Sequence, residues 1–384
     1  MDASLFISRR LRFKTGIAMV CIAISFLVMI IAVSVSSGFR AEIRRGLSDI
    51  TGDVVLTPPN LNVLDQSRPI EESPSYLPYV QEMDGVDTVV PVVYMAGIVK
   101  QKNDIHGVLF KGTGDGLGGV SIPQRLSDIS GLQVGDKMTA YFVGEKVRAR
   151  QFPIVSVYES ILEMDDKLVV YADLSDLQRL NGGSEGQVSA MEILLKPDYK
   201  NEMSISEMEQ RIGFAVNAYS EDSEAPVVAI SSVSKYPQLF DWLSLIDFNV
   251  LFILVLMTIV AGFNMISGLL IMLFENISTI GLLKALGMTD RNISKVFLSS
   301  AAVLVLKGML IGNAIAFAFC FLQSKTHFLK LDPENYFVSY VPINIDAGSV
   351  ILADIMSFAV IMLLLLIPTL FISRVDPAQT VRMK

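Results

Sequence analysis

The sequence predicts an α-helical membrane protein: four transmembrane helices with both termini in the cytoplasm (N-in/C-in), and a large α+β extracytoplasmic domain between helices 1 and 2. Three observations carry this. The 384 residues are 52% hydrophobic and 18% charged, with a mean hydropathy of +0.50, whereas soluble chains run nearer a quarter charged. Long uncharged runs meet the ~20 residues needed to cross ~30 Å of hydrocarbon. The charge is also divided: residues 40–247 hold 18 Lys and Arg against 31 Asp and Glu, and the remainder holds 13 against 8. An acidic aqueous part joined to a basic membrane part is the expected signature of one large water-exposed domain on a membrane anchor.

The first run, 15–39 with the core IAMVCIAISFLVMIIAVSV, lies between Lys14 and Arg40. It exceeds the ~7–15 residues of a signal-peptide core and no A-x-A site follows, so it reads as a retained anchor. The second run, 248–274, lies between Asp247 and Glu275; the third, 296–324, is interrupted by Lys307; the fourth, 355–373, sits inside Asp354 and Arg374. Arg9, Arg10, Arg12 and Lys14 hold the N-terminal flank in the cytoplasm. Alternation then puts 40–247 and 325–347 outside, and 275–295 and the tail inside. Lys284, Arg291 and Lys295 agree; Arg40, Arg44 and Arg45 fall on the outer side, where long domains translocate regardless of charge. The domain plan is therefore 1–39, an N-terminal helix and first span; 40–247, the outer domain; and 248–384, three spans with an inner loop at 275–295.

Within the outer domain, β-branched and aromatic runs at 86–99, 107–111, 137–143, 152–158, 168–171, 191–195 and 227–230 read as strands. Helical patterns fall at 78–83, 175–180 and 204–215. Helix-then-strand units at both ends suggest one α+β subdomain with a β-rich insertion at about 105–185.

Composition and motifs exclude several functions. A net charge of −8 argues against a nucleic-acid binder. Cys21 and Cys320 sit in apolar runs, and with only His106 and His327 besides, neither a disulfide framework nor a metal site is expected. No Walker, G-x-S-x-G or H-E-x-x-H motif gives a catalytic residue. The run KGTGDGLGG at 111–119 reads as a flexible turn, because no G-K-S/T follows it and no helix opens there. The chain is expected to be no enzyme and to bind no cofactor; any ATP and magnesium belong to a separate subunit.

The inner loop ENISTIGLLKALGMTDRNISKVF, 275–297, carries the functional signal. Ile277, Ile280, Leu283 and Leu286 form a broad apolar side, and Ser278, Gly281 and Ala285 a stripe of small residues opposite. Gly287 suits the position after a helix end, and Thr289 or Asp290 can cap the next helix. A short helix at the cytoplasmic mouth reads as an interfacial hairpin or as a coupling helix seated in the groove of an ATPase. Its candidate contact residues are Glu275, Ile277, Ile280, Gly281, Leu283, Lys284, Leu286, Gly287 and Met288.

This loop resembles the I-A/G-x-L-R/K-A-L-G-x-S/T signature of FtsX-like/MacB-like ABC transporter permeases, with Glu275 ahead of it. The closing segment IPTLFISRVDPAQTVR, 367–382, is similar to that family's C-terminal pattern. The segments AGFNMISGLLIMLFE, GLQVGDKMTAYF and LDPENYFVSYVPINID more closely resemble lipoprotein-releasing (Lol-type) permeases. The resemblance spans the whole chain. It implies mechanotransmission: two copies of an ABC ATPase drive two permeases, the second identical or homologous, and the outer domains move in response. In Lol-type members this lifts acylated lipoproteins from the inner membrane towards a soluble periplasmic carrier. Two alternatives stand beside it. One is a MacB-type efflux permease, in which an ATPase is usually fused ahead of the first span, where fourteen residues stand here. The other is an FtsX-type signal relay to cell-wall hydrolases, whose outer domain is smaller.

Polar residues within the spans are read separately. Lys307 lies ~18 Å along a helix from Lys295, near mid-membrane, as an interface contact or a snorkelling side chain. Gly308, Gly312 and Ala316 form a face for close helix packing, and Asn264 joins helices or lines a lipid cavity. Asp354 is placed at the outer interface. Between the strands 137–143 and 152–158 only GEKVRARQ intervenes, part of it expected to continue the second strand. That leaves a turn of ~2–5 residues, too short for the extended arm with which one Lol-type permease recruits its carrier.

Overall fold

The computed structural model describes residues 16–59, 69–101, 104–114, 116–142, 147–160, 168–181 and 186–370. The basic N-terminal flank, the turn at 143–146 and the C-terminal pattern beyond 370 lie outside the described residues. Two compact units appear: 1–41 with 242–330 and 340–384, and 42–241 with 331–339.

The first unit is built on helices long and apolar enough to cross a membrane: α1 (Gly16–Thr51), and three later in the chain. To number these in order, α2 (Glu202–Tyr219) belongs to the second unit; α3 (Pro237–Glu275), the short α4 (Ile277–Ala285), α5 (Asp290–Thr326) and α6 (Ala347–Leu364) complete the first. α1, α3 and α5 continue past the apolar runs at their cores into polar, helix-forming residues such as 40–51, 237–247 and 290–295. Their shared core includes Ile22, Phe26, Met265, Leu269, Phe297 and Val305. Arg40, which closes the first apolar run, pairs with Asp247, which opens the second, and Ser36 Oγ donates to Asp247 Oδ1 at 2.5 Å. The two charges that bracket the runs in sequence thus neutralise each other.

One boundary departs from the sequence reading. The fourth apolar helix begins at Ala347 rather than 355, because Asp346 caps it by accepting from the Gly348 and Ser349 amides at 3.3 and 3.0 Å. Asp354 therefore lies within α6, two turns from its start. It is tolerated there because Asn313 Nδ2 on α5 donates to its Oδ2 at 2.6 Å.

The second unit holds a nine-stranded sheet of order β11-β1-β10-β3-β4-β8-β5-β7-β6. Its strands are β1 (Val54–Thr57), β3 (Val86–Gln101), β4 (Asp104–Thr113), β5 (Val120–Pro123), β6 (Lys137–Phe142), β7 (Arg148–Tyr158), β8 (Leu168–Ala172), β10 (Ala190–Leu195) and β11 (Val228–Ser231), while β2 (Ile70–Glu71) pairs with β9 (Gln187–Val188). The sixteen-residue β3 pairs with β10 over its first half, with β4 over its second, and again with β6 at Gly97–Val99. That last pairing closes β3, β4, β8, β5, β7 and β6 into a ring. The β-rich middle of the domain is thus hydrogen-bonded into the same sheet as its ends. The ring is filled by Phe110, Phe142 and Phe152, with centroids 4.9–6.3 Å apart. On the open half, α2 buries Ile205, Met208, Ile212 and Val216, and Asn201 caps it by accepting from Ser204 N at 2.8 Å. The strand β7 starts at Arg148, four residues before the apolar run, so the expected continuation into GEKVRARQ is present.

Candidate functional site

The short helix α4 follows α3 after a single residue, Asn276. It ends in a paired closure: Gly287 N donates to Lys284 O at 2.9 Å and Met288 N to Leu283 O at 3.0 Å. Gly287 has φ +89°, a conformation that side-chain-bearing residues rarely adopt, which is why glycine stands there. Leu283 and Met288 pack against the membrane core beside this turn, as such closures favour. Thr289 occupies the cap position of α5 without a side-chain bond, and Asp290 in the first turn is held by Lys284 Nζ at 2.9 Å.

The faces of α4 differ from those the spacing suggested. Ile280 and Gly281 are buried together, with Ile277, Leu283 and Lys284 half-buried. The outward face consists of Ser278, Thr279, Leu282, Ala285 and Leu286, with Leu282 55% and Leu286 76% exposed. Gly281 therefore belongs to the inner face and Leu286 to the outer, opposite to the expected assignment. The cause is the hairpin: the core beneath α4 includes Leu273, Ile293 and Phe297, and it selects the Ile280 side. Leu282, which the sequence reading passed over, is central to the outer face. Glu275 and Gly287 are exposed, and Met288 is half-buried.

The intramembrane candidates separate into two groups. Gly308 and Gly312 are buried against α1: a methyl on Gly308 would stand 2.7 Å from Ile22 Cγ2, and one on Gly312 would meet Ala23 O and Phe26. They hold α1 and α5 in backbone contact, with Ala316 continuing the line. Lys307, by contrast, is exposed in a stripe with Val303, Leu310 and Ile311, facing away from those glycines' contacts. Asn264 is half-buried on α3.

A cavity of about 470 Å³ opens between α1, α3 and α6, lined by Val33, Leu251, Val255, Leu352 and Met356 among others. It falls in the ~300–1,000 Å³ range of small-molecule pockets. Its hydroxyls are already bonded: Thr258 and Ser357 lie 3.0 Å apart, both against Met29 Sδ, and Ser349 donates to the Asp346 carboxylate. What remains for a ligand is hydrocarbon surface. No periodicity in the sequence marks this cavity, because it arises where three apolar helices diverge.

In the second unit the glycine-rich run has an occupant of its own. Gly116, Leu117 and Gly118 donate their amides to the Asp173 carboxylate at 2.8–3.0 Å. The anion that this loop cradles is thus a side chain of the same chain. A buried charged group lies elsewhere: Lys111 pairs with Glu192, whose other oxygen accepts from Tyr94 OH. Burial pushes the Glu192 carboxyl up against the pull of the Lys111 ammonium, and burial followed by the Glu192 charge pushes the Tyr94 phenol well up.

Two family models match this architecture. Residues 15–212 match the MacB-like periplasmic core domain, about half the chain, and 251–377 the FtsX-like permease C-terminal region. The chain belongs to the FtsX-like/MacB-like family of ABC transporter permeases. Among curated relatives, the permease is 21% identical over 411 residues to the lipoprotein-releasing system transmembrane protein LolC of Neisseria meningitidis serogroup B, covering 96% of this chain and 94% of that one. Among solved structures, it is similar to the periplasmic region of MacB from Actinobacillus actinomycetemcomitans (12% identity, 51% of this chain and 94% of that one, TM-score 0.31). It is also similar to the extracellular domain of the transporter YknZ from Gram-positive bacteria (13% identity, 46% and 99%, TM-score 0.30). Members of this permease family work with an ABC ATPase and often with another permease.

Proposed function

We propose that this chain is the non-catalytic membrane subunit of a transporter that extracts lipoproteins from the inner membrane for release on the periplasmic side. Energy comes from two copies of a separate ATPase, and α4 is where that energy enters. The observation that carries the reading is the outer face of α4: two leucines exposed at the end of an apolar helical hairpin, a face suited to a groove in a partner. The orientation follows the Lys and Arg bias, with α4 cytoplasmic and 40–247 periplasmic.

Lipophilic cargo is supported by the apolar cavity between α1, α3 and α6 and by the similarity to LolC. The energetic logic agrees, since each acyl CH₂ withdrawn from lipid costs about 0.8 kcal/mol, and several chains require an external source. The match to the MacB-like core domain favours a second reading, efflux of another lipophilic substrate through the same movements.

Depleting the chain in its native cells and following acylated proteins by membrane fractionation tests the cargo. Accumulation of lipid-modified proteins in the inner membrane is expected; an unchanged distribution with loss of small-molecule efflux would favour the second reading. Orientation is tested separately with single cysteines in a background lacking Cys21 and Cys320. Ser220→Cys is expected to react with an impermeant reagent in spheroplasts and Ser278→Cys to be protected; the reverse pattern contradicts the topology.

A further inference from the structure

The Lys111 ammonium, on β4, is almost fully buried, its side chain 3% exposed. It donates to Asp49 O at 2.8 Å and Ile50 O at 2.9 Å, and reaches Glu192 Oε2 at 2.8 Å. These partners use all of the ammonium's donors. The two carbonyls belong to the last turn of α1, where a helix leaves its acceptors unpaired and its dipole negative. Tyr171 OH donates to Asp49 O at 3.3 Å, and its ring lies 5.8 Å from the ammonium. Glu192 on β10 is anchored in turn by Tyr94 on β3. One cation therefore joins the end of α1 to three neighbouring strands.

The position of those strands matters. β3 is shared by the open half of the sheet, through β10, and by the closed ring, through β4 and β6. Lys111 and Glu192 stand on either side of it. Burying this ion pair is costly, and apolar side chains of similar volume often match or exceed the stability of such a pair. Stability alone gives little reason for charge here, whereas a directional hold on two helix carbonyls requires it.

We infer that Lys111 is a positioning residue for force transmission: it pins the last turn of α1 to the seam of the sheet, so that displacement of α1 moves β3, β4 and β10 together. This rests on the reading that the chain transmits ATP-driven movement, and the inference names the joint through which that movement enters the domain. An unpinned α1 would slide against the sheet and leave the domain behind.

The test uses the full chain with its co-purified ATPase in lipid nanodiscs, comparing amide hydrogen exchange with and without ATP plus vanadate. In the wild type, exchange in 46–53 and in β3, β4 and β10 is expected to respond to nucleotide. The variant Lys111→Met/Glu192→Leu/Tyr94→Phe removes the pin without leaving a buried charge. It is expected to keep the nucleotide response in 277–285 and lose it in β4 and β10. A folded triple variant whose strands respond like the wild type overturns the inference. Should the triple variant fail to fold, Lys111→Met/Glu192→Gln is read in the same way: it removes both bonds to the α1 carbonyls without leaving an unpaired buried carboxylate, and a diminished strand response is expected, an undiminished one being fatal. A wild type with no nucleotide response anywhere in 86–195 instead defeats the transmission reading itself.

Discussion

Lys284 Nζ on α4 lies 2.9 Å from Asp290 Oδ1 in the first turn of α5, and the pair spans the Gly287 turn between them. The lysine side chain is 10% exposed and the carboxylate 48% exposed, so the pair is half-screened. It ties α4 to the first turn of α5 across the turn that joins them.

A double-mutant cycle on Lys284→Met and Asp290→Asn should therefore show coupling of about 0.2–1 kcal/mol, the range of partly exposed pairs. Thermal unfolding of the purified chain in detergent would measure it. Strict additivity of the two substitutions would mean the pair is geometric only.

Gly312→Leu should lower stability by about 1–3 kcal/mol, the usual cost of overpacking, because the new side chain meets Ala23 O and Phe26 on α1. Ala314→Leu, on the exposed side of α5, should be tolerated. Melting temperatures of the two variants in the same detergent check this, and equal melting temperatures would contradict the packing of α5 on α1.

The contrast between those two positions also shows what could be read in advance. Apolar length is a one-dimensional property, so four helices long and apolar enough to cross a membrane and a separate α+β domain are legible from residue types alone. The Gly308 and Gly312 face was visible because close helix approach demands small residues at fixed spacing. The outward face of α4 was not, since Ile280 and Leu286 are equally apolar and only the packing of the hairpin decides which is covered. β1 and β5, four residues each and buried throughout, show no alternation of buried and exposed positions and so carry no strand period to read. Lys111 was invisible for a different reason: a lysine at the end of an apolar strand looks solvated until its carbonyl partners, some sixty residues earlier, are brought to it.

Asp346 provides a pH prediction. Its carboxyl is held below its ordinary value of 3.8 by the Ser349 hydroxyl and then by the Ser349 and Gly348 amides. Because the folded pKa is depressed, the cap stabilises the start of α6 above pH 3.8 and is lost as pH falls through the folded value. Asp346→Ala should remove about 0.5–2 kcal/mol at neutral pH and Asp346→Asn much less. Amide exchange at 347–350 reads the difference; identical exchange in both variants would show that the cap contributes nothing.

The cavity between α1, α3 and α6 should bind acyl chains. A photoreactive fatty-acyl lipid is expected to label residues of α3 and α6, and Ala353→Phe, which fills the space, should suppress that labelling without unfolding the chain. Undiminished labelling in Ala353→Phe would place the acyl contact elsewhere.

The account stands most directly on α4 as the point where a separate ATPase engages. The decisive measurement is co-purification of the ATPase with the affinity-tagged full chain, comparing the wild type with Leu282→Asp/Leu286→Asp. Both substituted residues face outward, so the variant should insert and fold normally, while carboxylates placed in an apolar groove expel the partner. Loss of the ATPase from a correctly inserted variant is the predicted result. Wild-type recovery of the ATPase, with normal export, would contradict it.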